Sequence, residues 1–183
     1  MKDDITEIIQ SVVDLSLPPV GRARRSPTNV VGAASQAGVR PGLRGRKRVL
    51  LDTSLWIYHF ESHPMFGAAA GRILGDLEAG RFTAIASELL LLELTVLPLR
   101  QGRQDIADQY ELLFSHFPNL ELVPLSRGIL LEASALRAAH GLRTPDAIHI
   151  ATAVRAGASA IVTNDASWAR LPAIPAVTLL QNA

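Results

Sequence analysis

The sequence predicts an α/β fold built on a parallel sheet of about five strands, and three observations carry that prediction. Apolar runs of strand length recur at Val49 to Leu51, Phe82 to Ala86, Leu120 to Pro124, Ala160 to Val162 and Val177 to Leu180. The longer stretches between them show helical apolar spacing, bounded by capping residues, glycine and proline. Strands that alternate with helices pair in parallel, joined by right-handed crossovers. Acids then follow two of the runs closely, as Asp52 and Asp165, and the carboxyl ends of such strands are where open α/β sheets build their sites.

Taken in order, the chain divides into a leader, residues 1–47, and a body, residues 48–183. Ile5, Ile8, Ile9, Val12, Val13 and Leu15 give the span 3–15 a helical period, and Leu17-Pro18-Pro19 ends it. Residues 20–47 are rich in Gly, Ser, Pro and Arg without periodicity, which reads as disorder. In the body, Val49 to Leu51 is the first strand, and helices follow over 54–60 and about 65–78. After the strand at Phe82, Ser87 is placed to cap a helix running toward Arg100, which Pro98 kinks or interrupts near its end. A helix over 104–116 precedes the strand at Leu120. Ser126 caps the next helix and Gly141 ends it in the left-handed position. Thr144 is expected as the following cap, with Pro145 in the first turn and Gly157 as the stop. The last two strands enclose a short turn or helix near Trp168.

Composition narrows the function classes. No cysteine occurs, so disulfides and thiolate zinc sites are excluded. The densest apolar stretch, Leu89 to Leu92, is confined by Glu88, Glu93 and Pro98 to far less than the ~20 residues of a membrane helix. The start, Met1-Lys2-Asp3-Asp4, lacks the apolar heart of a secretory signal, and a cytoplasmic protein without membrane attachment is expected. The net charge of +1 conceals a partition: eight basic residues and no acid lie between 21 and 48, while residues 49–183 hold nine arginines against thirteen acids and no lysine. The basic stretch suits a phosphate backbone, a solvated leader, or a translation start nearer Val39 or Val49.

Four acids stand out: Asp52 and Asp165 after strands, Asp146 in a helix's first turn, and Glu93 interrupting Leu89-Leu90-Leu91-Leu92. Carboxylates gathered at one sheet end repel one another unless a cation holds them, and hard oxygens suit Mg²⁺ or Mn²⁺. Such an ion polarises a phosphoryl oxygen and activates water for in-line attack. Taken singly, each acid is equally a turn former, a helix N-terminal acid or a solvated face, as Glu88, Glu111 and Glu132 are read. Phosphatases of the HAD type and receiver domains also place an Asp after the first strand, but both require a lysine that the body lacks.

Asp52-Thr53-Ser54 after a strand, Ser87 with Glu93 six positions on, Arg143-Thr144-Pro145-Asp146-Ala147-Ile148-His149, and Thr163-Asn164-Asp165 together resemble the PIN domain. The set is most similar to VapC-type toxins of toxin–antitoxin pairs, over roughly residues 48–181. The resemblance implies a three-layer α/β/α fold, a Mg²⁺ or Mn²⁺ site, and endonucleolytic cleavage of RNA. It places Asp52, Glu93, Asp146 and Asp165 in the catalytic, metal-holding quartet, with Ser54 and Thr163 as polar neighbours. Ser167 stands where many relatives carry a further acid, which puts a second metal in question. An antitoxin is the implied partner. The helix surplus at Leu89 to Leu97 and at Leu130, Leu131, Ala135 and Leu136 suits either that partner or a homodimer. A catalytically silent RNA-binding or scaffold module is the competing class. The leader offers a further expectation, that it covers the acidic cleft in cis.

Among other residues, Arg143 is a candidate RNA contact or the partner of an acid, and Trp168 a stacking candidate or core. His149, one turn past Asp146, reads as a packed, hydrogen-bonded residue before a proton donor or metal neighbour. Trp56, Tyr58 and Phe60 read as core and interface.

Overall fold

The structure, a computed structural model, describes residues 48–180. The predicted helix at 3–15 and the basic segment lie outside the described residues. Five strands form one sheet: β1 (Arg48–Leu51), β2 (Thr83–Ser87), β3 (Leu120–Val123), β4 (Ala160–Thr163) and β5 (Ala176–Leu179). Their order is β3-β2-β1-β4-β5 and every pairing is parallel. The chain therefore works outward from β1 on one side, then returns to β1's other edge with β4. That reversal creates a topological switch point between β1 and β4, where parallel sheets open a crevice.

Six helices connect the strands: α1 (Thr53–Phe60), α2 (Gly67–Glu78), α3 (Leu89–Arg100), α4 (Gln104–His116), α5 (Arg127–His140) and α6 (Thr144–Arg155). A 3-10 turn, Trp168–Arg170, precedes β5. Side chains alternate across each strand, so Val49 and Leu51 point to one face of the sheet and Leu50 to the other. The first face carries α1 to α4, with Leu55, Trp56, Leu77, Leu90, Ile106 and Leu113 buried in its core. Trp56 meets Phe114 and Phe117 edge-on, with ring centroids 4.8 and 5.0 Å apart, an arrangement that adds to the burial itself. The second face packs Ile150 and Ala153 of α6, Leu136 of α5 and Trp168 against Leu50, Ile85 and Ile161. The result is the three-layer α/β/α architecture.

The central strands are buried on both faces, and so they read as unbroken apolar runs. Ser126 caps α5 as expected, its Oγ accepting the Ile129 N–H at 3.2 Å, and Gly141 ends that helix at φ 66°. Two expected caps differ. The first α6 hydrogen bond runs from Ala147 N–H to the Arg143 carbonyl, which makes Arg143 the cap and Thr144 the first helical residue. Ser87 remains the last residue of β2, fully buried, and its Oγ takes the Leu89 N–H at 3.3 Å, while Glu88 holds the cap position. Helix α3 runs through the buried Pro98 and stops two residues on, because a proline so near the end removes only one of the last backbone bonds. Among the described residues, no helix is long and apolar enough to cross a membrane.

Candidate active site

The carboxyl ends of β1 and β4 lie side by side, with the Asp52 N–H bonded to the Val162 carbonyl at 3.0 Å. Asp52 is the first residue beyond β1 and the N-cap of α1, in extended backbone. Its Oδ2 accepts two hydroxyls, from Ser54 at 2.7 Å and Thr163 at 2.8 Å. Thr163, the fully buried last residue of β4, also accepts the Asp165 N–H on its own Oγ1 at 3.1 Å. One threonine thus ties Asp52 to the backbone that carries Asp165. The Asp165 carboxylate in turn accepts the Ser167 N–H at 2.8 Å, closing a turn that points the acid off the strand end. Asn164 adds a tether, donating to Tyr58 Oη on α1 at 3.1 Å.

Glu93 reaches the same region from α3. Its Oε2 accepts the Thr53 hydroxyl at 2.7 Å and lies 2.9 Å from His149 Nε2. Asp146, in the first turn of α6, sits 3.3 Å from the Arg143 guanidinium, whose side chain is 60% exposed. The guanidinium is solvated while the acid is 14% exposed, so the pair contributes on the order of 1 kcal/mol. Burial alone pushes the His149 pKa down. The hydrogen bond to Glu93 and the charges of Asp52, Glu93 and Asp146 outweigh that effect and hold it above the usual histidine value. Three of the four acids therefore act electrostatically on one buried ring, and the fourth joins them through Thr163.

The predicted Ser54 and Thr163 contacts to the acids are present. Arg143 takes the acid-partner alternative. Trp168 takes the core alternative and not the stacking one: it is 1% exposed and packs with Leu50, Ile85 and Ile161. His149 is the packed, hydrogen-bonded residue that its apolar flanks imply. Thr53 was not singled out in the sequence, although its place between Asp52 and Ser54 in the triplet was the available signal. Among the described residues, no three His, Cys, Asp or Glu side chains stand close enough together to hold one ion as they are arranged. The donor set, four carboxylates with hydroxyl neighbours, has the hard-oxygen chemistry that a small divalent cation takes.

The structure is a parallel three-layer α/β/α fold with Asp52 and Asp165 just beyond the strand ends at its switch point. The chain belongs to the PIN domain family, whose model matches residues 49–174. No curated protein matches the sequence. Among solved structures, VapBC2 from Rickettsia felis, bound to a DNA fragment from its promoter, is similar at 19% identity and a TM-score of 0.57, covering 72% of this chain and 98% of that one. A toxin–antitoxin complex from Klebsiella pneumoniae is similar at 23% identity and a TM-score of 0.53, covering 72% and 97%. These likenesses show the fold.

Proposed function

We propose that this PIN domain protein is a metal-dependent endoribonuclease and the toxin of a toxin–antitoxin pair. The observation that carries the reading is the Thr163 hydroxyl joining Asp52 to the Asp165 backbone at the switch point. That link fixes the Asp52 carboxylate beside the backbone that carries Asp165, and acids gathered at strand ends offer the hard oxygens that a small divalent cation takes. Asp52, Asp146 and Asp165 would hold Mg²⁺ or Mn²⁺, with Glu93 binding directly or through water. When bound, the ion supplies Lewis acidity toward a phosphoryl oxygen and activates water. The protein's own part is orientation. Ser54 and Thr163 fix which way the Asp52 carboxylate faces, and Arg143, exposed beside Asp146, can exchange its acid for a phosphate oxygen. Hydrolysis with in-line displacement leaves a 5′-phosphate and a 3′-hydroxyl.

Exposed leucines support a protein partner. Leu92, Val96 and Leu99 share one face of α3, and Leu130 and Leu131 project from α5. An antitoxin segment or a second copy of the chain would cover them, and a cytoplasmic location goes with an RNA substrate. The test is cleavage of total RNA by the full chain beside Asp146→Asn, with Mg²⁺, Mn²⁺ or EDTA. Discrete fragments that need both the metal and Asp146 support the nuclease. A folded, metal-loaded protein that cuts nothing points instead to a silent binding module.

A further inference from the structure

Two helices and the residue that opens a third meet at one oxygen of Glu93. Oε2 accepts the hydroxyl of Thr53, at the start of α1, and faces Nε2 of His149, in the second turn of α6. Glu93 itself is on α3, in the helical layer opposite α6. Thr53 is 4% exposed and His149 2%. The Thr53 hydrogen goes to the carboxylate, so the imidazole must carry its own hydrogen on Nε2 and donate it to Glu93. Thr53 Oγ1 lies 3.4 Å from the same nitrogen and takes a weaker share.

The rest of the ring does no polar work. Nδ1 is buried without a hydrogen-bond partner among the described residues, and a buried polar atom without a partner costs stability. A leucine would fill the space without that cost. The ring lies 6.5 Å from that of Trp168 and is tilted 28° from it. The hydrogen bonding of His149 among the described residues is therefore directed at Glu93 and Thr53.

We propose that His149, together with Thr53, is a positioning residue for Glu93. The pair holds the carboxylate at one orientation in the cleft and ties the two helical layers together across the sheet edge. The inference rests on the nuclease reading above.

The experiment compares the full-length wild type with His149→Leu, His149→Gln, Thr53→Val, Glu93→Ala and the Glu93→Ala/His149→Leu double variant. Three quantities are read: kcat and KM for RNA cleavage, Mn²⁺ affinity from the paramagnetic signal of the free ion, and the melting temperature. His149→Leu is expected to melt no lower than wild type while kcat falls about 10- to 100-fold with KM little changed, and Mn²⁺ binding weakens. His149→Gln, which restores an N–H near the Nε2 position, should recover much of the loss. The double variant should be no worse than Glu93→Ala, because both changes remove one interaction. If His149→Leu melts early, Thr53→Val removes the other half of the contact without touching the packed ring, and it should show the same kcat loss and weaker Mn²⁺ binding. Wild-type kcat and Mn²⁺ affinity in folded His149→Leu or Thr53→Val, or independent losses in the double variant, would overturn the positioning role alone. A wild type that neither cleaves RNA nor binds Mn²⁺ would overturn the nuclease reading, and this inference with it.

Discussion

Thr163 Oγ1 donates to Asp52 Oδ2 at 2.8 Å across 111 residues of sequence, and it accepts the Asp165 N–H at 3.1 Å. A single buried hydroxyl is shared by two strand ends. Thr163→Val should remove both bonds at nearly constant volume and leave the Asp165 N–H without its acceptor. The expected loss is about 1–3 kcal/mol in urea unfolding, with RNA cleavage falling in step. Unchanged stability and cleavage would mean that the threonine is incidental.

Asp52→Asn keeps an acceptor oxygen for Ser54 and Thr163 but removes the charge. Cleavage should fall to background while the circular dichroism spectrum stays native, and the metal-free protein should melt at least as high as wild type because like charges are relieved. A collapse of folding in this variant would assign Asp52 a structural role instead.

Arg143→Ala separates catalysis from stability. Its guanidinium is largely solvated although Asp146 is not, so thermal denaturation should shift by about 1 kcal/mol. If Arg143 meets phosphate, KM for RNA should rise several-fold and become less sensitive to salt. Identical KM at every salt concentration would remove it from the substrate path.

Alkaline unfolding is expected to report on one phenol. Burial, helped by the charge of Glu61, pushes the Tyr110 pKa up to about 12. The unfolded chain ionises near pH 10, so between these values the native state holds a proton that the unfolded state has lost. Stability from this group is complete below pH 10 and declines by about 2–3 kcal/mol as pH rises toward 12. Residues 49–183 contain no lysine to titrate over the same window. Urea melts at pH 9 and 11.5, beside Tyr110→Phe, check this, and the variant should show a smaller decline.

Much of the architecture was legible because local signals agreed with the global fold. The double-faced burial of β1 and β4 wrote itself into Val49-Leu50-Leu51 and Ala160-Ile161-Val162 as continuous apolar runs. Ser126 and Gly141 bracketed α5 by side-chain chemistry and backbone freedom that need no tertiary partner. Ser87 and Thr144 misled because cap preference says nothing about which carbonyl accepts the first helical bond, and neighbours settled that by one residue. The site was legible as a set of acids but not as a network. Thr53 and Glu93 are 40 positions apart, and Glu93 and His149 are 56, so no spacing rule links them. Trp168 shows the converse: a large aromatic ring near an acid reads alike whether it faces a cleft or a core, and only packing against Leu50, Ile85 and Ile161 decides.

The switch-point topology also has a meaning in time. Val49 of β1 waits for Ala160 of β4 before its second edge is filled. At about 5–20 residues per second of synthesis, that interval is on the order of ten seconds. Throughout it, the growing chain can carry Asp52, Glu93 and finally Asp146, yet it lacks Thr163 and Asp165, whose contacts join the two strand ends. If the protein is the endoribonuclease proposed above, a nascent chain that has not yet reached Thr163 and Asp165 is expected to leave the RNA around it uncut, including the message and ribosome producing it. On that reading, activity would be conferred nearly all at once, when Thr163 and Asp165 join the ends of β1 and β4.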